Sequence, residues 1–298
     1  MTGGTISAPS TCNGERKLMA AWRRITGRGF WRYGLVCAVL VGAILLTGGP
    51  FRTAGAARNM DKPDQSDEMA DLKRSHPVLI SEFSASDTPP DGDLDKHFWS
   101  TAKRVSFDQA AFTRASYPKS QTQVASRWTR DYLYLAFWCR YESLNIFQGE
   151  NPEAERWQLW DKDVVEAFIG PDPERPSHYY EFEVAPNNQW IDLEIDLDKH
   201  PFNDPHWNSG FKHATRVNAA RHIWTSEWRI PATVLSSVGI RGDSAWRVNF
   251  YRADGADSNR RAMSWGALPH NLPENSFHQP DSFGLLQFAG PRSAPQGR

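Results

Sequence analysis

The sequence is poor in cysteine, with only three in 298 residues. Cys12 and Cys37 fall in a basic N-terminal segment, so Cys139 stands alone in the remainder of the chain. A single cysteine cannot form an internal disulfide, which excludes a disulfide-stapled scaffold. Because Cys139 lies in an apolar, alternating segment, we predict that it is a buried core residue.

Long apolar runs are also missing. The longest one, residues 34–46, is shorter than the roughly 20 residues that a membrane-spanning helix needs. Basic residues precede it, and Ala54-Gly55-Ala56 follows as a small-residue cleavage site. This order predicts an export signal in residues 1–57, either a cleaved signal peptide or an uncleaved membrane anchor. The rest of the chain is therefore expected in the periplasm or outside the cell.

Positive charge is scarce after the N-terminal segment. Residues 1–60 hold eight Lys and Arg and one acid, so the remainder carries a net charge of −8 while the whole chain carries −1. An acidic domain is a poor partner for nucleic acid or anionic lipid. We therefore expect a neutral ligand, and membrane contact only through the N-terminal segment.

Signatures of catalysis are few. The sequence has no G-x-S-x-G nucleophile elbow. Asp163 and Glu166 are candidates for the carboxylate pair of a sugar hydrolase, but residues three apart on a strand point to opposite faces. His200 and His206 lack a clear third ligand for zinc and are interpreted as loop residues. The sequence therefore favours a binding protein over an enzyme.

Helical periodicity is rare, whereas alternation of apolar and polar residues recurs at short intervals. It predicts strands at 78–83, 124–128, 132–141, 164–169, 179–184, 190–197, 246–252 and 285–288. One short helix is predicted at 231–238, opened by Pro231 and closed by Gly239. Many short strands predict an all-β fold, namely an antiparallel β-sandwich of immunoglobulin or jelly-roll type with one short helix.

Composition divides the chain into four parts. Residues 58–75, after the export segment, are polar and aperiodic, which predicts a disordered linker. Residues 76–290 are long enough for one sizeable core and are assigned to a single β-sandwich domain. Residues 291–298 are expected to form a flexible tail.

One predicted strand carries a row of acids on a single face: Asp192, Glu194, Asp196 and Asp198. A solvated edge that discourages strand-to-strand aggregation explains such a row. A calcium site is the alternative, because calcium takes carboxylate oxygens and would relieve the repulsion.

Seven phrases follow the order found in family 9 carbohydrate-binding modules. They are Asp91 to Asp95 with Trp99, Trp128 to Leu135, Trp160 to Ile169, Tyr180 to Val184, Trp246 to Phe250, Ser264-Trp265, and Phe277 to Gly284. Together they span nearly all of residues 78–290. The chain therefore resembles a stand-alone module of this family.

The resemblance implies a β-sandwich that binds a sugar, or the end of a sugar chain, between two aromatic rings without cutting it. It implies that calcium can brace the fold, and no other cofactor is expected. It also implies an oligo- or polysaccharide partner and a glycoside hydrolase acting beside the module, in support of polysaccharide degradation or uptake.

The same resemblance assigns the site. Trp160 corresponds to one ring of the clamp, and Phe277 stands where the second ring is expected. Glu166 is the matching hydroxyl-binding carboxylate, and Asn275 and His278 flank the second ring. These residue types suit the chemistry, because a pyranose has a face of C–H groups for aromatic rings and a rim of hydroxyls for carboxylates.

Two positions depart from the family pattern. Phe277 replaces a tryptophan, so it keeps a flat face but loses ring area and the indole donor. Glu183 replaces an arginine. Either change would weaken the clamp or adapt it to another sugar.

Two other interpretations stay open. The two departures are consistent with a structural or adhesive surface sandwich that has lost its sugar site. A haem-binding electron-transfer domain of related fold would need Met263, the one methionine after residue 76, with a histidine, or else two histidines.

Overall fold

The computed structural model describes residues 65–149, 151–152, 154–269 and 276–291. The predicted export segment, the first part of the predicted linker, Asn275 and nearly all of the predicted tail lie outside these residues.

The described residues form thirteen strands and three helices. The strands are β1 (Val78–Phe83), β2 (Arg104–Phe107), β3 (Thr122–Trp128), β4 (Tyr132–Arg140), β5 (Val164–Gly170), β6 (His178–Val184), β7 (Trp190–Asp196), β8 (Asn203–Asp204), β9 (Lys212–Asn218), β10 (Ile223–Pro231), β11 (Ala245–Asp254), β12 (Arg261–Ser264) and β13 (Gly284–Ala289). The helices are α1 (Gln65–Ser75), α2 (His97–Ser100) and α3 (Ala232–Leu235).

The strands form one continuous ladder in the order β8-β7-β6-β5-β11-β13-β1-β3-β4-β10-β9, with β12 beside β11 and β2 beside β3. Nearly all pairs are antiparallel. The exception is β1, which pairs in parallel with both β13 and β3. The structure confirms the predicted all-β sandwich and shows that its sheet is mixed where the two halves join.

The ladder curls so that its two halves pack against each other. Phe137 of β4 lies 5.9 Å from Phe250 of β11, measured between ring centroids, which joins the two halves. Phe211 connects them again, since it contacts Phe182 of β6 at 5.2 Å and Trp228 of β10 at 6.0 Å. Cys139 is fully buried in this inter-sheet core, as predicted.

Strand β5 is buried on both of its faces, and all seven of its residues are inaccessible to solvent. Val165, Ala167 and Ile169 point into the inter-sheet core. Val164 and Phe168 point the other way, into a second apolar cluster on the outer side of β5, β6 and β7. This second cluster positions the site described below.

A buried carboxylate anchors the loop before α2. Glu227 of β10 accepts hydrogen bonds from the backbone N–H groups of Asp91 (2.9 Å) and Gly92 (3.2 Å) and from the Trp99 indole (2.8 Å). Lys96 Nζ lies 2.8 Å from the same carboxylate. Gly92 adopts φ +74°, and a Cβ there would meet the Thr215 backbone at 2.9 Å, so the Asp91-Gly92 turn requires glycine.

Residues Gln65–Ser75 form helix α1, which corrects the prediction of a disordered linker for that part of 58–75. An ion pair between Asp71 and Arg74, three residues apart, stabilises its last turns. Directly after the helix, His76 Nε2 hydrogen-bonds the carbonyl of Asp281 at 3.0 Å and ties this segment to the sandwich. No helix among the described residues is long and apolar enough to cross a membrane.

Of the four acids predicted to form a solvated edge, only Asp198 is exposed and Glu194 is half-buried, which corrects that prediction. Asp192 and Asp196 are buried. Asp192 accepts a hydrogen bond from the Ser209 N–H at 2.9 Å, and Asp196 pairs with Lys199 at 3.0 Å. Asp192 and Asp196 are therefore each stabilised by a partner, and β8 pairs with part of the outer edge of β7.

We predict that Glu227→Ala lowers the free energy of unfolding by about 3–5 kcal/mol, because it leaves the buried end of Lys96 and several N–H donors unpaired. Urea denaturation measures the change. Glu142→Ala is the control: Glu142 also pairs with a lysine, but on the surface, where such a pair contributes about 0–1 kcal/mol. Equal losses in the two variants would contradict the anchoring role of Glu227.

Candidate functional site

A cavity of about 470 Å³ opens on the outer side of β5 and β6. Four aromatic rings contribute to its lining: Trp160, Phe168, Phe202 and Phe277. Its charged lining residues are Asp161, Glu166, Glu181, Glu183 and Arg260. The cavity therefore combines flat apolar surface with a cluster of carboxylates.

The structure brings together four of the five predicted site residues. Trp160, Glu166, Phe277 and His278 all line this cavity, although they are far apart in sequence. Asn275 lies outside the described residues. The role of each residue in binding stays a prediction.

Trp160 lies in a single 3-10 turn, Leu159–Asp161, directly before β5. The Arg260 guanidinium holds this turn by donating to the carbonyls of Trp160 and of Lys162, the latter at 2.7 Å. The Trp160 ring is half-buried and packs edge-to-face against Trp157, with centroids 5.1 Å apart. An aromatic surface is thus fixed at the rim of the cavity.

Phe277 is part of an aromatic stack. Its ring lies parallel to that of Tyr251, with centroids 4.3 Å apart, and the Tyr251 hydroxyl donates to the Phe277 carbonyl at 2.8 Å. Phe112 stacks at 6.1 Å. Because Tyr251 covers one face of the ring, Phe277 offers the cavity only its remaining surface.

His278 is held as a neutral imidazole. Its Nδ1 lies 2.6 Å from the Tyr179 hydroxyl, and its ring stacks on Phe168 at 5.3 Å. Burial among these rings lowers the pKa of His278 to about 4. At neutral pH it can therefore exchange hydrogen bonds with a ligand without carrying a charge.

Three glutamates meet at the floor of the cavity because of strand register. Glu166 of β5 lies directly opposite Glu183 of β6, and Glu181 is two residues along β6 on the same face. One carboxylate oxygen from each lies within 4.8 Å of the others. All three side chains are buried, with 0–4 % of their surface exposed.

Oε1 of Glu166, Oε2 of Glu181 and both oxygens of Glu183 are buried and receive no hydrogen bond from a nitrogen or hydroxyl donor among the described residues. The Glu181 and Glu183 carboxyls lie close enough to share a proton as a hydrogen-bonded pair. Burial raises the pKa of Glu181 to about 7. Burial first, and repulsion from neighbouring glutamates second, also raise the pKa values of Glu166 and Glu183 well above their usual range, although Arg260 acts in the opposite direction.

Glu181 and Arg260 were not predicted as site residues. Alternation in the Tyr180 to Val184 phrase contained a signal for Glu181, because Glu181 and Glu183 share a face. Arg260 follows a loop between β11 and β12, so its position depends on tertiary packing. Asp163 does not line the cavity and instead accepts hydrogen bonds from backbone N–H groups of two loops, at Asn145 and Gly255.

The sequence profile described as "Carbohydrate family 9 binding domain-like" matches residues 91–290, which is about two thirds of the chain. The chain belongs to this family. The matched region includes the cavity and almost all of the sandwich. Carbohydrate binding is therefore the function of this family 9 domain, and non-catalytic binding, as predicted, distinguishes it from a hydrolase.

Known proteins with similar sequence or structure agree with this assignment. A protein of Arthroderma benhamiae named "Extracellular protein" is 27 % identical over 195 residues, which cover 62 % of this chain and 85 % of that protein. A solved protein from Bacteroides uniformis superimposes with a TM-score of 0.57 at 17 % identity, covering 72 % of this chain and all of the other.

A family 9 module from Caldicellulosiruptor kristjanssonii, solved with cellotriose, superimposes with a TM-score of 0.51 at 16 % identity. It covers 74 % of this chain and 100 % of its own. At such identities the structural likeness shows the shared fold.

Met263 is not placed to act as a haem ligand. Met263 is fully buried in the inter-sheet core, where it packs among apolar side chains. A haem ligand must reach a cavity large enough for the porphyrin, and Met263 does not line the cavity described here.

We predict that Glu183→Gln stabilises the protein increasingly as pH rises from about 4.5 to 8. The folded-state pKa of Glu183 is raised above its ordinary value of 4.5, so the folded protein binds more protons than the unfolded chain. The contribution of Glu183 to the free energy of unfolding is then fully present below pH 4.5 and is lost as pH rises. Thermal unfolding at several pH values measures the difference.

Glu194→Gln is the matched control, since Glu194 lies on neighbouring β7, points away from the cavity and pairs with His178 at 2.7 Å. A gain in melting temperature for Glu183→Gln that is the same at pH 4.5 and pH 8 would contradict the prediction.

Proposed function

We propose that this family 9 domain binds a sugar unit, or the end of a sugar chain, in the cavity between Trp160 and Phe277. One observation carries the proposal: aromatic surface and buried carboxylates line the same cavity. Aromatic rings suit the C–H face of a pyranose, and carboxylate oxygens accept hydrogen bonds from its hydroxyls. Glu166 and the other floor glutamates supply those oxygens, and neutral His278 adds a further polar contact.

The dimensions of the cavity agree with a small ligand. Its volume of about 470 Å³ falls within the roughly 300–1,000 Å³ typical of ligand pockets. The Caldicellulosiruptor module was also solved with glucose, so a domain of this fold accepts a single sugar unit. Because one small site buries few atoms, we expect weak binding of short saccharides.

A second depression, lined by Trp138 and Arg104, is a weaker candidate. The Arg104 guanidinium lies 3.7 Å from the centroid of the Trp138 ring and covers it. The ring is therefore not free to stack on a sugar. This leaves the cavity at Trp160 as the better site.

The biological setting follows from the export segment and the relatives. We propose that the protein is exported, either released or anchored by residues 1–57, which agrees with the name of the Arthroderma relative. Outside the cytoplasm it would present a saccharide to a glycoside hydrolase acting beside it, in polysaccharide degradation or uptake. A purely structural sandwich does not explain the buried acids of this cavity. Buried carboxylates without hydrogen-bond donors destabilise a protein unless a ligand completes their hydrogen bonds.

Titration of the full-length protein with mono- and oligosaccharides tests the site through intrinsic tryptophan fluorescence. We predict a saturable change, and a loss of affinity of about tenfold or more in Trp160→Ala, because the ring supplies much of the apolar contact. Trp138→Ala is the control, since Trp138 is also half-buried but lies outside the cavity. If no sugar changes the tryptophan fluorescence, with or without calcium, the proposal is refuted and the structural alternative is favoured.

A further inference from the structure

The floor of the cavity offers hydrogen-bond acceptors in excess. Glu166, Glu181 and Glu183 present four buried oxygens that no nitrogen or hydroxyl donor of the described residues reaches. In their ionised form these oxygens only accept hydrogen bonds, so a ligand with several donors would match them. A sugar hydroxyl offers only one hydrogen.

The ionisable groups that line the cavity are mostly acids. Among the described residues, four acids line the cavity, Asp161 and the three floor glutamates, against the single cation Arg260. The Arg260 guanidinium already donates to two backbone carbonyls beside Trp160. A cationic ligand would therefore take the place of the protons that the raised pKa values keep on these carboxyls, and would relieve their repulsion in the ionised form.

Building on the proposed function, we propose that the sugar unit bound in this cavity carries a free amine, whose ammonium group is held by Glu166, Glu181 and Glu183. An ammonium has three donors and no acceptor, which matches three carboxylates. At N···O distances of about 2.8 Å, tetrahedrally placed oxygens lie about 4.6 Å apart. The three glutamates provide oxygens within 4.8 Å of one another.

The walls favour an amino sugar over a bare metal ion. Calcium takes about six to eight oxygen ligands, whereas much of the lining here is aromatic. Aromatic rings supply no ligand for calcium, but they attract an ammonium through their faces and pack against the sugar ring that bears it. One ligand then uses both the floor and the walls.

Proton release distinguishes an ammonium from a neutral sugar. Burial and mutual repulsion raise the pKa values of the floor glutamates, so the cluster holds protons at neutral pH. A bound ammonium favours the ionised carboxylates and expels those protons, whereas a neutral hydroxyl does not require ionisation.

Calorimetry on the full-length protein near pH 6.5 tests the proposal. The probes are glucosamine oligomers, their N-acetylated counterparts, in which the nitrogen belongs to an uncharged amide, and cello-oligomers of the same length. We expect glucosamine oligomers to bind at least about tenfold more tightly than either neutral series, since hydrogen bonds between charged groups are the stronger class. Titration in buffers of different ionisation enthalpy is expected to show proton release only for the amine.

Variants separate this proposal from the sugar site itself. Glu183→Gln keeps the shape of the side chain and removes its charge, so we expect it to weaken binding of the amine by a larger factor than binding of neutral sugars and thereby to remove the preference. Glu194→Gln should leave the preference intact. Trp160→Ala should weaken both kinds of ligand.

Three results would overturn the proposal. Equal affinity for amine and neutral oligomers, lost in Trp160→Ala, would leave the sugar site standing and refute the role of the ammonium. Binding that requires calcium and disappears with a chelator, without preference for the amine, would make the glutamates a metal site. Absence of binding by every oligomer would refute both the amine specificity and the proposed sugar site.

Discussion

The burial of β5 on both of its faces is the constraint on which the rest of the structure depends. Val165, Ala167 and Ile169 fill the space between the two halves of the sandwich, while Phe168 and Glu166 point into an outer layer of aromatic residues. A strand that is covered on both sides cannot slip in register without placing charges in the core and apolar residues at the site. The same pairing that holds the fold together therefore positions the floor of the cavity.

Buried charge separates structural residues from candidate functional ones. Glu227 is buried and fully engaged, with backbone, indole and lysine donors around it. Asp192 accepts hydrogen bonds from Ser209 through Oδ2, although its Oδ1 has no partner among the described residues. The floor glutamates are buried to the same extent, but four of their six oxygens receive no hydrogen bond from a nitrogen or hydroxyl donor of the described residues. A protein bears the cost of unpaired buried carboxylates where a ligand completes their hydrogen bonds, and this contrast, rather than the presence of acids, marks the site.

Much of the fold could be predicted from alternation alone. All eight predicted strands exist, and β1 has the predicted bounds. Five strands were missed. Of these, β2, β8 and β12 are only two to four residues long, and β9 is largely exposed. Strand β10 was missed because polar Ser226 and Glu227 are buried beside Trp224 and Trp228, so its apolar and polar residues do not alternate simply. The predicted helix at 231–238 is shorter, only Ala232–Leu235. Helix α1 was missed because its residues are polar and its stability comes from local ion pairing and a contact with a distant loop.

The sequence by itself determined the family, the all-β class, the solitary buried Cys139 and four of the residues that line the cavity, Trp160, Glu166, Phe277 and His278, because ordered phrases and alternation are local properties of the chain. Only the tertiary structure decided that Glu181 joins Glu166 and Glu183, that Arg260 supports the Trp160 turn, and that Tyr251 covers one face of Phe277. These relations depend on strand register and loop packing between residues about 15 to 100 positions apart, and such long-range pairing is not encoded in any single segment.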